Sequence, residues 1–359
     1  MDKKTMSIIG ILVIAVVAVA AIAVFMVPHD QKEGVTDYAG NVIELTKDPT
    51  RIVCTDVVGA EIVSDLGYNK AIVGVSSYAS VFDVSSDIVG IDLDLDYPGN
   101  LVADIESGKV AIVGSYYNWT ADAVAACEPD IVIISKEQIS SDTSKMTQLQ
   151  TLGITVIVIN NEYGFQDSLD NYSLLGKILG KQSMTKKITD AMTSAFEKIK
   201  EVAAKSDLAG KKYAYICDSG SYGFYIYKNH MIITLLNSVG FVNSMPVNAT
   251  TKIQFQEELA KANPDFIILD DMSMGLDWAT VVAGWKADPV LGEVDCIKND
   301  MFWCLEYKPF QACGYNTVHL INGAALIAAM INPEDTGVEV PNIVTSKDWE
   351  NYIQWLDEY

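Results

Sequence analysis

The chain has 359 residues, with 25 Lys+Arg against 47 Asp+Glu and a net charge of −22. Nucleic-acid recognition needs a basic footprint, so a chain this acidic excludes that class of partner. Half of the residues are hydrophobic, which excludes a disordered chain, and the length allows two or three domains with ample cores.

The N-terminus opens with Lys3 and Lys4, followed by an uncharged apolar run over residues 8–27 that Pro28, His29 and Asp30 close. About twenty residues at 1.5 Å each span ~30 Å, the hydrocarbon core of a bilayer. The preceding lysines keep the N-terminus cytoplasmic. Residues 1–29 therefore read as a transmembrane anchor or signal, with everything after them extracytoplasmic. A signal peptide has a shorter apolar core of ~7–15 residues, although Ala18-Val19-Ala20 offers a small-residue cleavage site. No cysteine closes the run, so a lipid anchor is not expected.

Beyond the anchor, apolar runs alternate with helix-like stretches. Strands are expected at residues 52–54, 71–75, 110–113, 131–134 and 155–159, and again at 213–217, 266–269 and 301–305. Continuous apolar runs of this length suit parallel strands covered on both faces. One segment recurs. Ala121-Asp122-Ala123-Val124-Ala125-Ala126-Cys127-Glu128-Pro129-Asp130 followed by Ile131 is echoed by Gln256-Glu257-Glu258-Leu259-Ala260-Lys261-Ala262-Asn263-Pro264-Asp265 followed by Phe266. Each copy reads as an amphipathic helix, a Pro-Asp stop and a buried strand. Between the copies Leu174, Leu175, Ile178 and Leu179 share a helical face. Ile188, Met192, Ala195, Phe196, Ile199 and Val202 then mark a helix of about 22 residues, ~33 Å long.

The expected fold is α/β: two Rossmann-like lobes with mainly parallel sheets, bridged by one long helix and preceded by the transmembrane helix. The corresponding segments are 1–29 for the anchor, 30–165 for the first lobe, 166–206 for the helical bridge, 207–333 for the second lobe and 334–359 for a C-terminal segment with a helix. Six cysteines lie in the ectodomain, none in a CxxC pair. Disulfides are permitted outside the cell, while Cys54 and Cys217 fall inside strand-like runs as buried thiols.

In open α/β sheets, ligands bind outside the carboxyl ends of the strands. Aromatic residues crowd those positions: Tyr78, then Tyr116, Tyr117 and Trp119, then Tyr222, Phe224 and Tyr225, with Trp303 and Tyr307 around the last strand. Wide π surfaces with phenolic handles suit a planar or macrocyclic ligand. Enzyme signatures such as GxSxG, HExxH and a P-loop are missing from the sequence, and His230 and His319 sit in helix-like contexts that suit structural roles. The chain is not expected to be an enzyme, and no cofactor is expected.

Several segments in order resemble the periplasmic-binding-protein family that serves ABC importers of metal chelates (ferric siderophores, haem and cobalamin). They are Asp37-Tyr38-Ala39-Gly40-Asn41-Val42, Pro49-Thr50-Arg51-Ile52-Val53, Glu61 with Leu66-Gly67, and Ile72-Val73-Gly74-Val75-Ser76. Val113-Gly114-Ser115, Glu128-Pro129-Asp130-Ile131-Val132, Leu152-Gly153-Ile154 and Leu175-Gly176-Lys177-Ile178-Leu179-Gly180-Lys181 follow. The resemblance spans roughly residues 37–330. It implies two α/β lobes joined by a long helix, a metal chelate held between them, and an ABC permease with its ATPase as partners. A monomer is expected, held at the membrane by the N-terminal helix read above. The family's permease-docking acids, one per lobe, fall on Asp122 and Glu257. The first is usually Glu, so Asp122 is one methylene short. Arg51, the only arginine of the chain, opens a strand, where it is badly placed to meet an anionic ligand. Val75-Ser76-Ser77-Tyr78 is similar to cobalamin binders. A ligand-sensing or adhesion ectodomain with the same fold is the alternative.

Overall fold

In a computed structural model, the described residues are 34–80, 88–91, 93, 101–140, 142–160, 162, 164–218, 224–227, 230–245, 252–271, 275–314 and 317–359. The expected anchor over residues 1–29 and the candidate Tyr222 lie outside them. Among the described residues, no helix is long and apolar enough to cross a membrane.

A short antiparallel hairpin, β1 (Val35–Thr36) and β2 (Val42–Ile43), precedes the first sheet. The chain then runs through β3 (Ile52–Cys54), α1 (Val57–Asp65), β4 (Ile72–Val75), β5 (Ala111–Ile112), α2 (Ala121–Ala125), β6 (Ile131–Ser135), α3 (Ser144–Thr151) and β7 (Thr155–Ile159). Two helices follow, α4 (Phe165–Ile178) and α5 (Gln182–Ala204). The second sheet is built from β8 (Lys212–Asp218), β9 (Phe224–Tyr225), α6 (Met231–Ser238), β10 (Val242–Asn243), α7 (Lys252–Ala262), β11 (Phe266–Asp271), α8 (Trp278–Ala287), β12 (Phe302–Leu305), α9 (Tyr307–Gly314), α10 (Leu320–Ile331) and β13 (Ile343–Val344).

Both sheets share a topology. The first is ordered β5-β4-β3-β6-β7 and all its pairs are parallel. The second is ordered β10-β8-β11-β12-β13, again parallel, with β9 added antiparallel on β8. Each chain path steps outward from its first strand, then returns to that strand's other side. The switch points are therefore β3/β6 and β8/β11, where an open α/β sheet forms its crevice. The C-terminal segment contributes β13 to the second sheet rather than forming a separate appendage.

The recurring Pro-Asp segment has one geometry in both lobes. The residue before each proline leaves the helix in the left-handed region, Glu128 at φ 47° and Asn263 at φ 39°, and the proline itself cannot continue the helix. The aspartate that follows grips the start of the neighbouring strand. Asp130 Oδ2 accepts from Arg51 N at 3.1 Å, and Asp265 Oδ2 accepts from Lys212 N at 2.7 Å.

The long helix expected near residues 183–205 is α5. Its stripe of Ile188, Met192, Ala195, Phe196, Ile199 and Val202 is buried. Phe196 stacks on Phe165 of α4 with ring centroids 4.0 Å apart. On its other side α5 packs along α10 and α6 of the second sheet. Continuous burial of one helical stripe makes it a packed spine rather than a free strut. All six cysteines are buried free thiols.

Candidate functional site

The first sheet ends in a polar shelf at its switch point. After β3 come Thr55 and Asp56, and Asp56 caps α1 by accepting from Val58 N at 2.8 Å. After β6 comes Gln138, whose side chain is buried and fully used. Its Oε1 accepts from Thr55 Oγ1 at 2.8 Å and Ser135 N at 2.9 Å, and its Nε2 donates to Thr55 O at 3.0 Å and Tyr116 O at 2.6 Å. One amide therefore ties the ends of β3 and β6 to the loop after β5. That loop turns tightly at Gly114, which has φ 132°. A Cβ there would sit 2.5 Å from Trp119 Cα, so only glycine lets the loop close on itself.

On this shelf stand Tyr116 and Tyr117, ring centroids 4.7 Å apart and edge to face. Both hydroxyls converge on Glu137. Tyr117 donates to Oε1 at 2.8 Å and Tyr116 to Oε2 at 3.2 Å, while Tyr116 also meets Ser135 Oγ at 2.8 Å. Lys145 Nζ holds Tyr117 O at 3.0 Å. Tyr117 is 60% exposed, Tyr78 after β4 38%, and Tyr225 of the second sheet 54%. Burial of the Tyr117 hydroxyl pushes its pKa up, and its bond to Glu137 adds to this. Charges on Glu137, Tyr225 and Asp56 raise it further.

The second sheet presents Tyr225 and Tyr227, ring centroids 5.2 Å apart. Tyr307 starts α9, half-buried, with its ring 6.2 Å from Phe310. Asp218 and Asp271 end β8 and β11. Asp271 Oδ2 accepts from Gly275 N and Leu276 N, which shapes the loop after β11. Deeper, Tyr215 donates to Asp270 and meets His230 Nε2 at 3.1 Å. Burial drops His230 to about 3 and lifts Asp270 to about 7. His230 also caps α6, its Nδ1 accepting from Ile232 N, so the structural role expected of it stands.

Three aromatic candidates face the lobe cores in this structure. Trp119 is 1% exposed and packs among Val53, Val113, Val124 and Leu149. Phe224 is the inward partner of Tyr225 on β9 and stacks on Phe255 at 4.0 Å. Trp303 lies within β12, 9% exposed and edge to face with Phe266. Strand alternation explains the Phe224/Tyr225 split, because neighbouring side chains point to opposite faces. Of the other candidates, Tyr78, Tyr117 and Tyr225 are exposed, and Tyr116 and Tyr307 are half-buried. Sequence reasoning missed Gln138 and Glu137, which hold the tyrosines; their place directly after an apolar strand was the available signal.

Arg51 lies at the opposite end of β3. Its guanidinium donates to Cys127 O and, at 2.9 Å, to Glu128 O, so it braces the end of α2. Asp122 and Glu257 are both exposed, on α2 and α7. Asp122 falls in the first turn of its helix, beside the Thr120 cap. Glu257 lies in the second turn or beyond, where a helix-dipole preference no longer accounts for it.

A family model described as periplasmic binding protein matches residues 52–305. The chain is 23% identical over 238 residues to the uncharacterized ABC transporter substrate-binding lipoprotein YvrC of Bacillus subtilis, covering 66% of this chain and 68% of that protein. Its fold is similar to that of a possible iron-binding (periplasmic solute-binding) protein from Staphylococcus epidermidis, with a TM-score of 0.61, 18% identity, and coverage of 79% and 99% of the two chains. It is also similar to a periplasmic heme binding protein from Pseudomonas aeruginosa, with a TM-score of 0.60, 20% identity, and coverage of 80% and 94%. With its doubled parallel sheet and a family match running from β3 to the end of β12, the chain belongs to the periplasmic binding protein family.

Proposed function

We propose that the protein is the extracytoplasmic substrate-binding component of an ABC importer. It captures a metal chelate of the iron-siderophore, corrinoid or haem type between its lobes and delivers it to the permease and its ATPase. It acts as a monomer tethered by residues 1–29. The observation that carries this reading is the pair of exposed tyrosines, Tyr117 in the loop after β5 of the first sheet and Tyr225 on β9 of the second. The relatives named for heme and iron support the ligand class. The tether is a helix in this reading, because the chain has no cysteine before Cys54 to take a lipid.

The crevice chemistry narrows the ligand. Asp56 and Glu137 stand beside the tyrosines, and the one arginine is committed elsewhere. Phenols and apolar ring faces suit a neutral or aromatic-contacting chelate over a strongly anionic one. A thermal-shift panel of cobalamin, haem, ferric hydroxamates and ferric catecholates tests this. A true ligand at ~100 times its Kd stabilises the fold by about 2.7 kcal/mol. Response to none of the four rejects the chelate reading.

Asp122 and Glu257 are the docking residues of this proposal. Changing both to Ala should abolish uptake while leaving ligand affinity intact. Normal uptake with the double variant, together with retained binding, favours a sensing or adhesion ectodomain.

A further inference from the structure

Away from the crevice, the two lobes meet at a buried titratable cluster. Glu61 and Asp65 lie one turn apart on α1, and both are buried. Tyr172 of α4 donates to Asp65 Oδ2 and accepts from Val318 N at 3.1 Å. Glu61 Oε1 is bonded to His319 Nδ1. The 318–319 segment leads directly into α10, the apolar helix at the centre of the second lobe. A further cross-lobe bond, Val89 N to Asn322 Oδ1 at 3.0 Å, pins the first turn of α10. Two carboxyls of the first lobe thus hold the entry to the second lobe's core helix.

The carboxyls are incompletely satisfied. Glu61 Oε2 and Asp65 Oδ1 are buried and have no hydrogen-bond partner among the described residues. A carboxylate with an orphan oxygen in this interior carries an uncompensated desolvation penalty. Burial holds Asp65 above the ordinary carboxylate range and the charge of Glu61 pushes it further; the Tyr172 bond and His319 act in the opposite direction. Among the described residues, Glu61, Tyr172 and His319 are the titratable groups acting on Asp65, and α10 itself carries none.

We propose that this cluster is a proton-dependent latch between the lobes, in which a proton on Asp65 seats residues 317–320 firmly on α1 and its loss loosens them. The closed seam binds the proton more tightly than an opened, hydrated one. Its stability is therefore complete below the ordinary carboxylate range and falls as pH rises toward the raised value of Asp65. The opening equilibrium grows by up to about tenfold per pH unit across that window, then levels off.

Hydrogen exchange of the amides of residues 317–323 in the full chain, from about pH 5 to about pH 9 and corrected for intrinsic rates, tests the latch. In the wild-type chain the opening equilibrium should rise with pH, while amides of β7 serve as the reference. Asp65→Asn keeps the shape and the acceptor for Tyr172 but has no proton to lose, so its profile should be flat. Parallel slopes in the two proteins overturn the proposal. Where Asp65→Asn does not fold, Glu61→Gln removes the neighbouring charge, and the rise should level off at lower pH. An unchanged profile in that variant overturns the latch equally. The readout needs no ligand, so its outcome leaves the importer reading untouched.

Discussion

Asp130 and Asp265 occupy the same place in the two sheets, each gripping the backbone at the start of the strand beside its own. The grips differ in strength. Asp130 Oδ2 accepts from Thr50 N at 2.7 Å, Thr50 Oγ1 at 2.9 Å and Arg51 N at 3.1 Å, and its Oδ1 pairs with Lys47 at 3.2 Å. Asp265 has Lys212 N at 2.7 Å and a Lys211 contact at 3.9 Å, and its side chain is 41% exposed against 24% for Asp130. Asp130→Ala should therefore lower stability by about 1–2 kcal/mol and Asp265→Ala by less than about 1 kcal/mol, read by urea unfolding. The bonds from Thr50 hold Asp130 down at about 2. Its contribution is present above the ordinary carboxylate range and is lost as pH falls through that value. Equal losses in the two variants would contradict this ranking.

Tyr117 and Trp119 are two residues apart and should respond in opposite ways. Tyr117 is mostly exposed, whereas Trp119 is a core residue. Tyr117→Ala, like Tyr225→Ala, should weaken chelate binding at least tenfold, or about 1.4 kcal/mol, with little change in melting temperature. Trp119→Ala should cost about 3–5 kcal/mol of stability. Paired titration and melting curves check both. A Trp119 variant that melts normally but loses affinity would return that residue to the crevice.

Much of this arrangement was legible in the sequence, because burial on both faces of a parallel strand and the 3.6-residue stripe of a helix leave direct patterns. The stripe from Ile188 to Val202 gave the spine, and the Pro-Asp segment showed the doubled topology. Which face a loop aromatic takes was not legible. Trp119, Phe224 and Trp303 fit the same pattern as Tyr117 and Tyr225, and only strand parity and loop closure at Gly114 separate them. The seam was hidden for another reason. Glu61 and His319 are 258 positions apart, and no local pattern joins two such residues.

Gln138 should act on ligand affinity without touching the ligand. Its amide joins Thr55, Ser135 and Tyr116 O. Gln138→Leu leaves those buried backbone groups without partners, at a cost of about 1–3 kcal/mol. The loop carrying Tyr116 and Tyr117 then loses its anchor, so chelate affinity should fall together with stability. Gln138→Glu keeps the acceptor for Thr55 Oγ1 and Ser135 N but loses both donors, to Thr55 O and Tyr116 O, and should also fall below the wild-type chain. Calorimetry alongside melting curves checks both variants. Full affinity in the Leu variant would show that the loop holds its shape without this amide.

Asp56 provides a pH test at the crevice itself. Burial lifts it to about 6; the bonds from Val58 and Ser135 pull it down, and Glu137 pushes it up. A raised folded-state value means that the folded protein binds this proton more tightly than the unfolded chain. Stability from Asp56 is then complete below the ordinary range, declines as pH rises to about 6, and is flat above it, a loss of about 3 kcal/mol at most. Asp56→Asn keeps the cap on Val58 N, because Asn caps as well as Asp, and it has no proton to lose. Urea unfolding between about pH 4 and about pH 7 should show a smaller decline in this variant than in the wild-type chain. Exchange at residues 317–323 should stay as in the wild-type chain, because Asp56 is not among the groups acting on Asp65. Opposite behaviour of Asp56→Asn and Asp65→Asn in these two measurements separates the crevice carboxyl from the seam carboxyl. A seam that responds equally to both would show that α1, which carries one acid at its cap and the other at its last residue, transmits the charge along its length.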